Sequence, residues 1–478
     1  MLFHSLEFAI FFVIVFSLYS VLKHQSQNRL LLVASYVFYG AWDWRYLSLL
    51  LISTTVDFFC SHAIRRTNEQ PRKNLFLTLS IFSNLTLLGI FKYYDFFAFS
   101  FQEFMGKFGL SVEPYFLRVA LPIGISFYTF QTMSYSIDVY RKKLEPAENY
   151  FDFALFVAFF PQLIAGPIER GTRLLPQILK PRVVNWERVY HGLYFFGWGL
   201  FLKVFIADNL AVIVDRVYGL PAPYEGASVI LATFAFSFQI YCDFAGYSFM
   251  AIGLAKAMGI DLMENFRRPY FSLNISEFWR RWHISLSSWF RDYFFTPFYL
   301  WCQKSRWLAG LSVKGKHAIA FFGTLFATQY LLGFWHGAGW NFGLFGLYHA
   351  FAIWLYYYVR NYWDKMPVPV QILLTYLVTC GGWLVFRAQT LGLAVDMFGS
   401  VFTNIDFANL AMLSGEALQF AGFVGILVAV QVFQDRARDT LIVLRWPPVI
   451  RYPFFLMMAM LILVFGDFSD RPFIYFQF

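Results

Sequence analysis

The chain has 478 residues, of which 59% are hydrophobic, 22% aromatic and 14% charged. An ordinary soluble domain has about half apolar and about a quarter charged residues, so this composition excludes a soluble globule and indicates a protein that lies in a lipid bilayer. The net charge of +9 is spread over short segments between apolar runs rather than collected in a basic tail. That distribution argues against a nucleic-acid partner and predicts membrane topology instead.

Apolar runs that are long enough for one or two membrane spans recur along the chain, and they predict about 11 to 13 crossings. The runs lie near residues 7–23, 30–60, 75–100, 116–136, 151–168, 191–217, 227–258, 318–335, 341–359, 368–386, 417–434 and 452–466. The first run lacks a basic n-region and a cleavage site, which is typical of a retained first helix. We therefore expect an all-α integral membrane protein with one polytopic domain over residues 1–478.

Glycine and proline interrupt several of the central runs, at Pro122, Gly124, Pro161, Gly166 and Pro167. These interruptions predict short, re-entrant or interfacial helices. Irregular backbone at membrane depth is tolerated only where protein or a water-filled cavity surrounds it. We therefore expect a cavity within the helices.

The distribution of basic residues predicts the topology, because Lys and Arg are enriched in cytoplasmic loops. The loops expected on the cytoplasmic side are 64–73, 141–143, 170–188, 303–316 and 436–451. Segment 388–416 contains Asp396, Asp406 and Glu416 but no Lys or Arg, and it is expected on the outer side. Alternation of the spans then places the C-terminus, with Asp467 and Asp470, on the outer side as well.

Four scattered cysteines show no CxxC spacing and predict small buried apolar side chains rather than a redox or nucleophilic function. They are Cys60, Cys242, Cys302 and Cys380. The sequence also contains no GxSxG elbow, Walker loop, GxGxxG or HExxH motif, which disfavours the common serine-nucleophile, nucleotide and zinc mechanisms. We predict no metal site and no bound cofactor.

His336 is the first candidate for catalysis, because it lies between two long apolar runs and is flanked by glycines. An ionisable group at such a place is costly, and within a membrane protein it is a functional hypothesis by default. Burial would keep the imidazole neutral, as a general base requires. The alternative is a core histidine whose ring nitrogens are satisfied by a backbone carbonyl and a hydroxyl. His349 follows 13 residues later, about 220° round an ideal helix, and is a weaker candidate.

Residues 264–296 alternate aromatic side chains with arginines, and two interpretations remain open. The segment is typical of an interfacial helix whose guanidinium groups contact lipid phosphates. Alternatively, Arg280, Arg281 and Arg291 bind a phosphorylated cytosolic donor, since arginine pairs bidentately with phosphate. His283 lies within this segment, 53 residues before His336, and that separation does not predict whether the two side chains meet.

Six motifs together resemble the membrane-bound O-acyltransferase family. They are residues 84–97 (NLTLLGIFKYYDFF), 121–140 (LPIGISFYTFQTMSYSIDVY), 160–170 (FPQLIAGPIER), 239–247 (QIYCDFAGY), 277–293 (EFWRRWHISLSSWFRDY) and 333–337 (GFWHG). The resemblance covers almost the whole chain and is to the bacterial branch of alginate and peptidoglycan O-acetylation and teichoic acid D-alanylation, with the alginate proteins the most similar. Cys242 departs from the branch's usual residue. The motifs are shared by all three subgroups and do not identify the polymer.

The resemblance implies a ring of helices around a central tunnel that joins the two faces of the membrane. It implies that His336 is the essential histidine and that His283 is the second recurrent histidine, with a catalytic, structural or donor-orienting role. The implied activity is transfer of an acetyl or similar group from acetyl coenzyme A or another acyl thioester, through the inner membrane, to an exported polysaccharide. A separate outer-face acetyltransferase is the implied partner.

Three other functions are weighed against this one. A proton-coupled transporter or flippase would be indicated by inverted repeats, which the sequence does not show. A catalytically silent scaffold of an envelope polymer machine is the second alternative. An acyltransferase that acts on lipids or secreted proteins is the third.

The C-terminal segment 471–478 (RPFIYFQF) is too aromatic to remain free in water and is expected to pack against the protein. One interpretation is a plug at the outer mouth of the tunnel. The other, suggested by the similar endings of the family's envelope-polymer members, is that the Tyr475 hydroxyl reaches His336 and accepts the acyl group as a phenolic ester.

Overall fold

A computed structural model describes residues 1–164, 166–220, 222–308, 310–405, 414–469 and 471–476. These residues form helices, turns and loops, and no strand occurs among them. The longer α-helices are, in chain order, α1 (Leu6–Val21), α2 (His24–Asp43), α3 (Leu47–Arg66), α4 (Gln70–Leu88), α5 (Tyr94–Gly106), α6 (Ile125–Tyr140), α7 (Tyr150–Ala158), α8 (Phe160–Leu163), α9 (Gly171–Leu179), α10 (Trp186–Leu200), α11 (Asp208–Tyr218), α12 (Gly226–Ala257), α13 (Ile275–Arg281), α14 (Ile284–Phe290), α15 (Thr296–Lys304), α16 (Val313–His336), α17 (Trp340–Trp363), α18 (Val368–Arg387), α19 (Leu391–Thr403), α20 (Ser414–Ala437) and α21 (Pro448–Phe465).

Within the described ranges, nine helical stretches are long and apolar enough to cross a membrane. The stretches are His24–Arg66, Gln70–Gly106, Trp186–Tyr218, Gly226–Ala257, Val313–His336, Trp340–Trp363, Val368–Arg387, Ser414–Ala437 and Pro448–Phe465. The first stretch contains two successive helices of 20 residues, α2 and α3. The prediction of an all-α, multi-pass membrane protein is confirmed, while the number of crossings and the sidedness of the loops stay predictions.

The chain divides into two compact units, residues 1–196 with 248–263 and residues 197–247 with 264–478. The prediction of a single membrane domain stays a prediction. In the first unit, a buried carboxylate joins three helices: Asp57 on α3 accepts hydrogen bonds from Asn84 of α4 (2.7 Å), from Ser136 of α6 (3.1 Å) and from Ser80. These bonds offset the cost of placing a carboxyl group among membrane-length helices.

The predicted short helices of the first unit occur where glycine and proline interrupt the sequence. α7 ends at Ala158, and α8 is a single turn with Pro161 near its start. Gly124 has φ of +77°, and a Cβ atom there would lie 2.5 Å from the carbonyl oxygen of Leu163. Only glycine is therefore compatible with both the left-handed backbone and this close approach.

In the second unit, α16 and α17 form a hairpin whose turn is residues 337–339. Two glycines allow the backbones to approach closely. A Cβ atom at Gly333 would lie 2.2 Å from the carbonyl oxygen of Phe342, and one at Gly346 would lie 2.1 Å from that of Gln329. This packing fixes the end of α16, where His336 is the last helical residue.

The same unit contains a π-helical segment, Phe201–Ala207, between α10 and α11. Such segments carry an extra residue within a helix and are frequent at functional sites. All seven of its residues are buried, and Lys203 lies at its third position.

Candidate functional site

His336 is buried at the C-terminal end of α16, with 3% of its surface exposed. Its Nδ1 atom lies 2.8 Å from the carbonyl oxygen of Leu332, one turn earlier. Because a carbonyl oxygen can only accept, this hydrogen bond assigns the proton to Nδ1. The Nε2 atom then has the lone pair that a general base needs.

His283 is fully buried in the bend between α13 and α14. Its backbone is left-handed, with φ of 42° and ψ of 55°, a conformation that is uncommon for a residue other than glycine. Asn265 stabilises this bend: its carbonyl oxygen accepts from the N–H of Ile284 at 2.9 Å, and its side-chain oxygen accepts from Ser285 N and Oγ. Burial, with the nearby His336, lowers the pKa of His283 well below its ordinary value, so the imidazole is neutral at physiological pH.

The two histidines lie side by side although 53 residues separate them in the sequence. Their ring centroids are 6.2 Å apart. Aromatic side chains surround the pair: Phe244 packs edge-on against His283 at 4.5 Å, and Trp335 contacts both histidines. The sequence alone did not predict this pairing.

Tyr475 lies against both histidines. Its ring centroid is 5.6 Å from that of His336 and 6.2 Å from that of His283. Burial raises the pKa of the phenol well above its ordinary value, so Tyr475 carries its proton unless a neighbouring base removes it. We call the C-terminal segment 471–478 the tail. Its residues Phe473 and Ile474 are also buried, which confirms that this aromatic segment packs against the protein. Residues 477 and 478 lie outside the described part of the chain.

A cavity of about 990 Å³ in the second unit is lined by many of the charged residues of segment 264–296. Its lining includes six arginines, among them the three predicted ones: Arg267, Arg268, Arg280, Arg281, Arg291 and Arg438. Three carboxylates also line it: Glu264, Glu277 and Asp435. The lining extends to Ile284, which follows His283, and to Leu332, whose carbonyl binds His336. The cavity therefore approaches the backbone beside both histidines.

The arginines of this cavity differ in their ion pairs. Arg281 pairs with Glu277 at 2.6 Å and with Asp435 at 3.3 Å. Asp435 also pairs with Arg268 at 3.1 Å. Arg280 forms no ion pair with any residue that the structure describes, and its side chain is exposed to the cavity. Arg438, which is also exposed, likewise forms no ion pair with the described residues. A dianionic phosphate would therefore find two unpaired guanidinium groups beside four that are already paired with carboxylates.

His349 lies elsewhere in the aromatic core of the second unit. Its ring is 4.6 Å from Phe345, 5.1 Å from Trp279 and 6.1 Å from Phe278. His336 and His349 do not lie on one continuous helix, so the predicted angle of about 220° between them is wrong. The chain turns back at residues 337–339, so the two histidines belong to different helices.

The cysteines are as predicted in three of four positions: Cys60, Cys242 and Cys380 are buried, and Cys302 is partly exposed. Within the described residues, no group of three His, Cys, Asp or Glu side chains could hold a metal ion. Lys203, Asp208 and Asp243, which were not predicted as functional residues, form a buried ionic cluster. A signal was present, because charged residues within apolar runs 191–217 and 227–258 are costly unless they are paired.

Comparison with known proteins connects this geometry to a family. The model of the membrane-bound O-acyltransferase family matches residues 146–395, a range that contains both histidines and five of the six cavity arginines. The chain is 37% identical to the "Probable alginate O-acetylase AlgI" of Pseudomonas putida over the full length of both proteins. It is 34% identical to the peptidoglycan O-acetyltransferase of Helicobacter pylori, over 84% of this chain and 79% of that protein. The teichoic acid D-alanyltransferase of Bacillus subtilis is 30% identical over 56% of this chain and 69% of its own length.

Proposed function

Because the chain belongs to the membrane-bound O-acyltransferase family, we propose that it moves an acetyl or similar acyl group from a cytoplasmic thioester donor across the inner membrane, for O-acylation of an exported or cell-envelope polysaccharide. The relatives' names support a polymer as final acceptor, since they refer to alginate, peptidoglycan and teichoic acid. The full-length similarity to an alginate O-acetylase favours acetyl as the group and a polysaccharide as the acceptor.

The observation that carries this proposal is the cluster of His336, His283 and Tyr475 close to an arginine-lined cavity. An acyl transfer needs a base for the acceptor's proton and a donor for the developing oxyanion. His336 Nε2 is assigned as the base, because Nδ1 already donates to Leu332. His283, neutral through burial, is assigned to orient the donor or to donate a hydrogen bond to the thioester carbonyl oxygen.

The cavity is assigned to the donor, acetyl coenzyme A or another acyl thioester. Both coenzyme A and acyl carrier proteins present a phosphate group on their thioester arm, which the arginines suit. Arg280, Arg281 and Arg291 are the proposed donor-binding residues, and the exposed Arg280 is the one that has no carboxylate to displace. The basic loop 436–451, which contains the lining residue Arg438, supports a cytoplasmic entrance.

Tyr475 is proposed to receive the acyl group first. His336 Nε2 removes the phenolic proton while Oη attacks the thioester carbonyl. The C–S bond then breaks, and the leaving thiolate takes this proton from the imidazolium and departs as a thiol. The product is an aryl ester on the tail. A phenol leaves more readily than an aliphatic alcohol, so this ester remains transferable. A separate outer-face acetyltransferase then transfers the group to the polymer. The alternative is that the tail is a plug and that the acyl group passes by it.

The first test is polymer acylation in a strain whose only copy of the protein carries His336→Ala. The expected result is loss of acylation at normal membrane levels of the protein. A catalytically silent scaffold would keep acylation intact, and such a result would overturn the proposal. A transporter or flippase that uses histidines as a proton relay is distinguished by mass spectrometry, because only the proposed enzyme forms an acyl-tyrosine on the tail.

A further inference from the structure

A buried ionic cluster lies next to the C-terminal tail. Lys203 Nζ is 2.8 Å from Asp208 Oδ1 and 2.8 Å from Asp243 Oδ1. All three side chains are almost completely shielded from solvent. Lys203 belongs to the π-helical segment Phe201–Ala207, whereas Asp243 belongs to α12. Buried charges are stable in such surroundings only when they are paired. The second carboxylate oxygen of Asp243 therefore needs a partner in addition to the ion pair with Lys203.

The second oxygen of Asp243 binds the tail. Asp243 Oδ2 accepts a hydrogen bond of 2.6 Å from the backbone N–H of Ile474, 231 residues away. Ile474 immediately precedes Tyr475, so this bond fixes the backbone that carries the phenol. A hydrogen bond to a carboxylate is about twice as strong as one between neutral groups, and here it is shielded from water.

The same turn of α12 also holds the rings of the tail. Phe244, the next residue, contacts Tyr475 at 4.5 Å and Phe473 at 5.4 Å between centroids. Tyr247, one turn later, contacts Phe473 at 4.7 Å. One hydrogen bond to Asp243 and ring contacts with Phe244 and Tyr247 therefore join residues 473–475 to one stretch of α12.

The residues that precede the tail bind the π-helical segment and the first turn of α11. Asp467 N–H donates to the carbonyl oxygen of Val204 at 2.9 Å, and the Asn209 side chain donates to that of Phe465 at 2.8 Å. Val204 is adjacent to Lys203. Val204, next to Lys203, thus binds Asp467, and Asp243, which pairs with Lys203, binds Ile474.

We propose that Asp243, held in place by Lys203, is a positioning residue that anchors the C-terminal tail so that Tyr475 lies against His336. Asp208 completes the lysine's ion pairs. The effect of this anchor on acyl transfer rests on the proposed function of Tyr475. The position of the tail does not depend on that function and is measured separately.

The first experiment removes the donor of the hydrogen bond and leaves the cluster intact. Ile474 begins a short 3₁₀ turn, Ile474–Phe476, and proline is tolerated at the first position of a helix. Ile474→Pro lacks the N–H, and Ile474→Val keeps it with a similar side chain. Hydrogen exchange of the full-length protein in detergent, followed by mass spectrometry of the C-terminal peptide, is expected to be about 10- to 100-fold faster in Ile474→Pro than in Ile474→Val. Equal exchange in the two variants would overturn the anchor.

The second experiment removes the acceptor. Asp243→Ala is expected to accelerate tail exchange as Ile474→Pro does, Asp243→Asn less so because its amide oxygen still accepts, and Asp208→Asn least. The double variant of Asp243→Ala and Ile474→Pro should exchange no faster than the faster single variant, because both changes break one bond. Full additivity would show that Asp243 acts on the fold and not on the tail. If the Asp243 variants fail to fold, the Ile474 pair decides alone.

Acyl transfer is measured in the same proteins. Loss of polymer acylation is expected to parallel tail exchange across the variants. If Ile474→Pro loosens the tail while Tyr475→Phe acylates polymer normally, the anchor stands and the proposed acyl shuttle is wrong. If Tyr475→Phe is inactive and Ile474→Pro leaves the tail protected, the shuttle stands and the anchor is wrong.

Discussion

Three substitutions of His336 separate a general base from a structural histidine. The side-chain amide nitrogen of Asn is bonded to Cγ, as is Nδ1 of histidine. Asn therefore retains an N–H donor for the Leu332 carbonyl oxygen but has no basic nitrogen. Gln places a polar but non-basic atom near the position of Nε2. Ala removes both functions. Since the hydrogen bond and the base belong to different ring nitrogens, the three variants remove them selectively.

The magnitudes of the two effects are far enough apart to be distinguished. The hydrogen bond to Leu332 contributes about 0.5–1.5 kcal/mol to stability. A general base contributes about 10²–10⁴-fold to the rate, which corresponds to about 2.7–5.4 kcal/mol at 1.36 kcal/mol per tenfold change. All three variants are therefore expected to lose at least about 100-fold in acylation, whereas thermal stability should fall for Ala and be retained by Asn.

The assay is the acyl content of the exported polymer, divided by the amount of membrane-inserted protein, with unfolding temperature measured on the purified chain. His317→Asn is a matched control, because His317 lies near the start of the same helix, is exposed and bonds Tyr299 instead. It should acylate normally. Near-normal acylation by His336→Asn, together with loss in His336→Ala, would refute the reasoning and identify His336 as a core histidine whose only function is its bond to Leu332.

Four further predictions concern Tyr475, His283, Arg280 and Glu169. Tyr475→Phe keeps the ring contacts and is expected to be as inactive as His336→Ala, with the acyl-tyrosine absent from its tail by mass spectrometry; normal polymer acylation would refute the shuttle. For His283, Asn should retain more activity than Leu if the residue orients the donor through a hydrogen bond, and equal loss in both would argue against that role. Arg280→Glu should raise the KM for the thioester donor with little change in unfolding temperature, whereas low protein yield at an unchanged KM would favour the lipid-anchoring function. Burial raises the pKa of Glu169 to about 7, so the folded chain binds this proton more tightly than the unfolded chain does. The resulting contribution to stability is present below pH 4.5 and is lost as the pH rises to 7. Glu169→Gln should therefore reduce the change of unfolding temperature with pH across that range, and an unchanged pH dependence would contradict the assignment.

The membrane class and the helical fold could be predicted from the sequence, because both depend on local composition. Apolar runs of sufficient length give membrane helices wherever they occur. The breaks at Gly124 and Pro161 were predictable for a similar reason, since the restrictions on glycine and proline are properties of single residues. The ion pair between Glu277 and Arg281 was also within reach, because a spacing of four places both on one helix face.

The pairing of His283 with His336 could not be predicted from the residues themselves. It depends on how the bend before α14 packs against the end of α16, and no local pattern encodes that distance. The bond between Asp243 and Ile474 is a still longer-range contact, across 231 residues. Resemblance to a family implied that His336 and His283 are functional, but only the packed helices bring His336, His283 and Tyr475 together.

The position of Tyr475 on the same chain as His336 has a kinetic consequence. The phenol and the base belong to one polypeptide and are already packed together, so their encounter is unimolecular and its rate does not depend on protein concentration. Each chain carries one Tyr475. Under the proposed shuttle, loading of isolated protein with excess donor should stop at a stoichiometry of one acyl group per chain, and sustained turnover should require a second protein that unloads the tail.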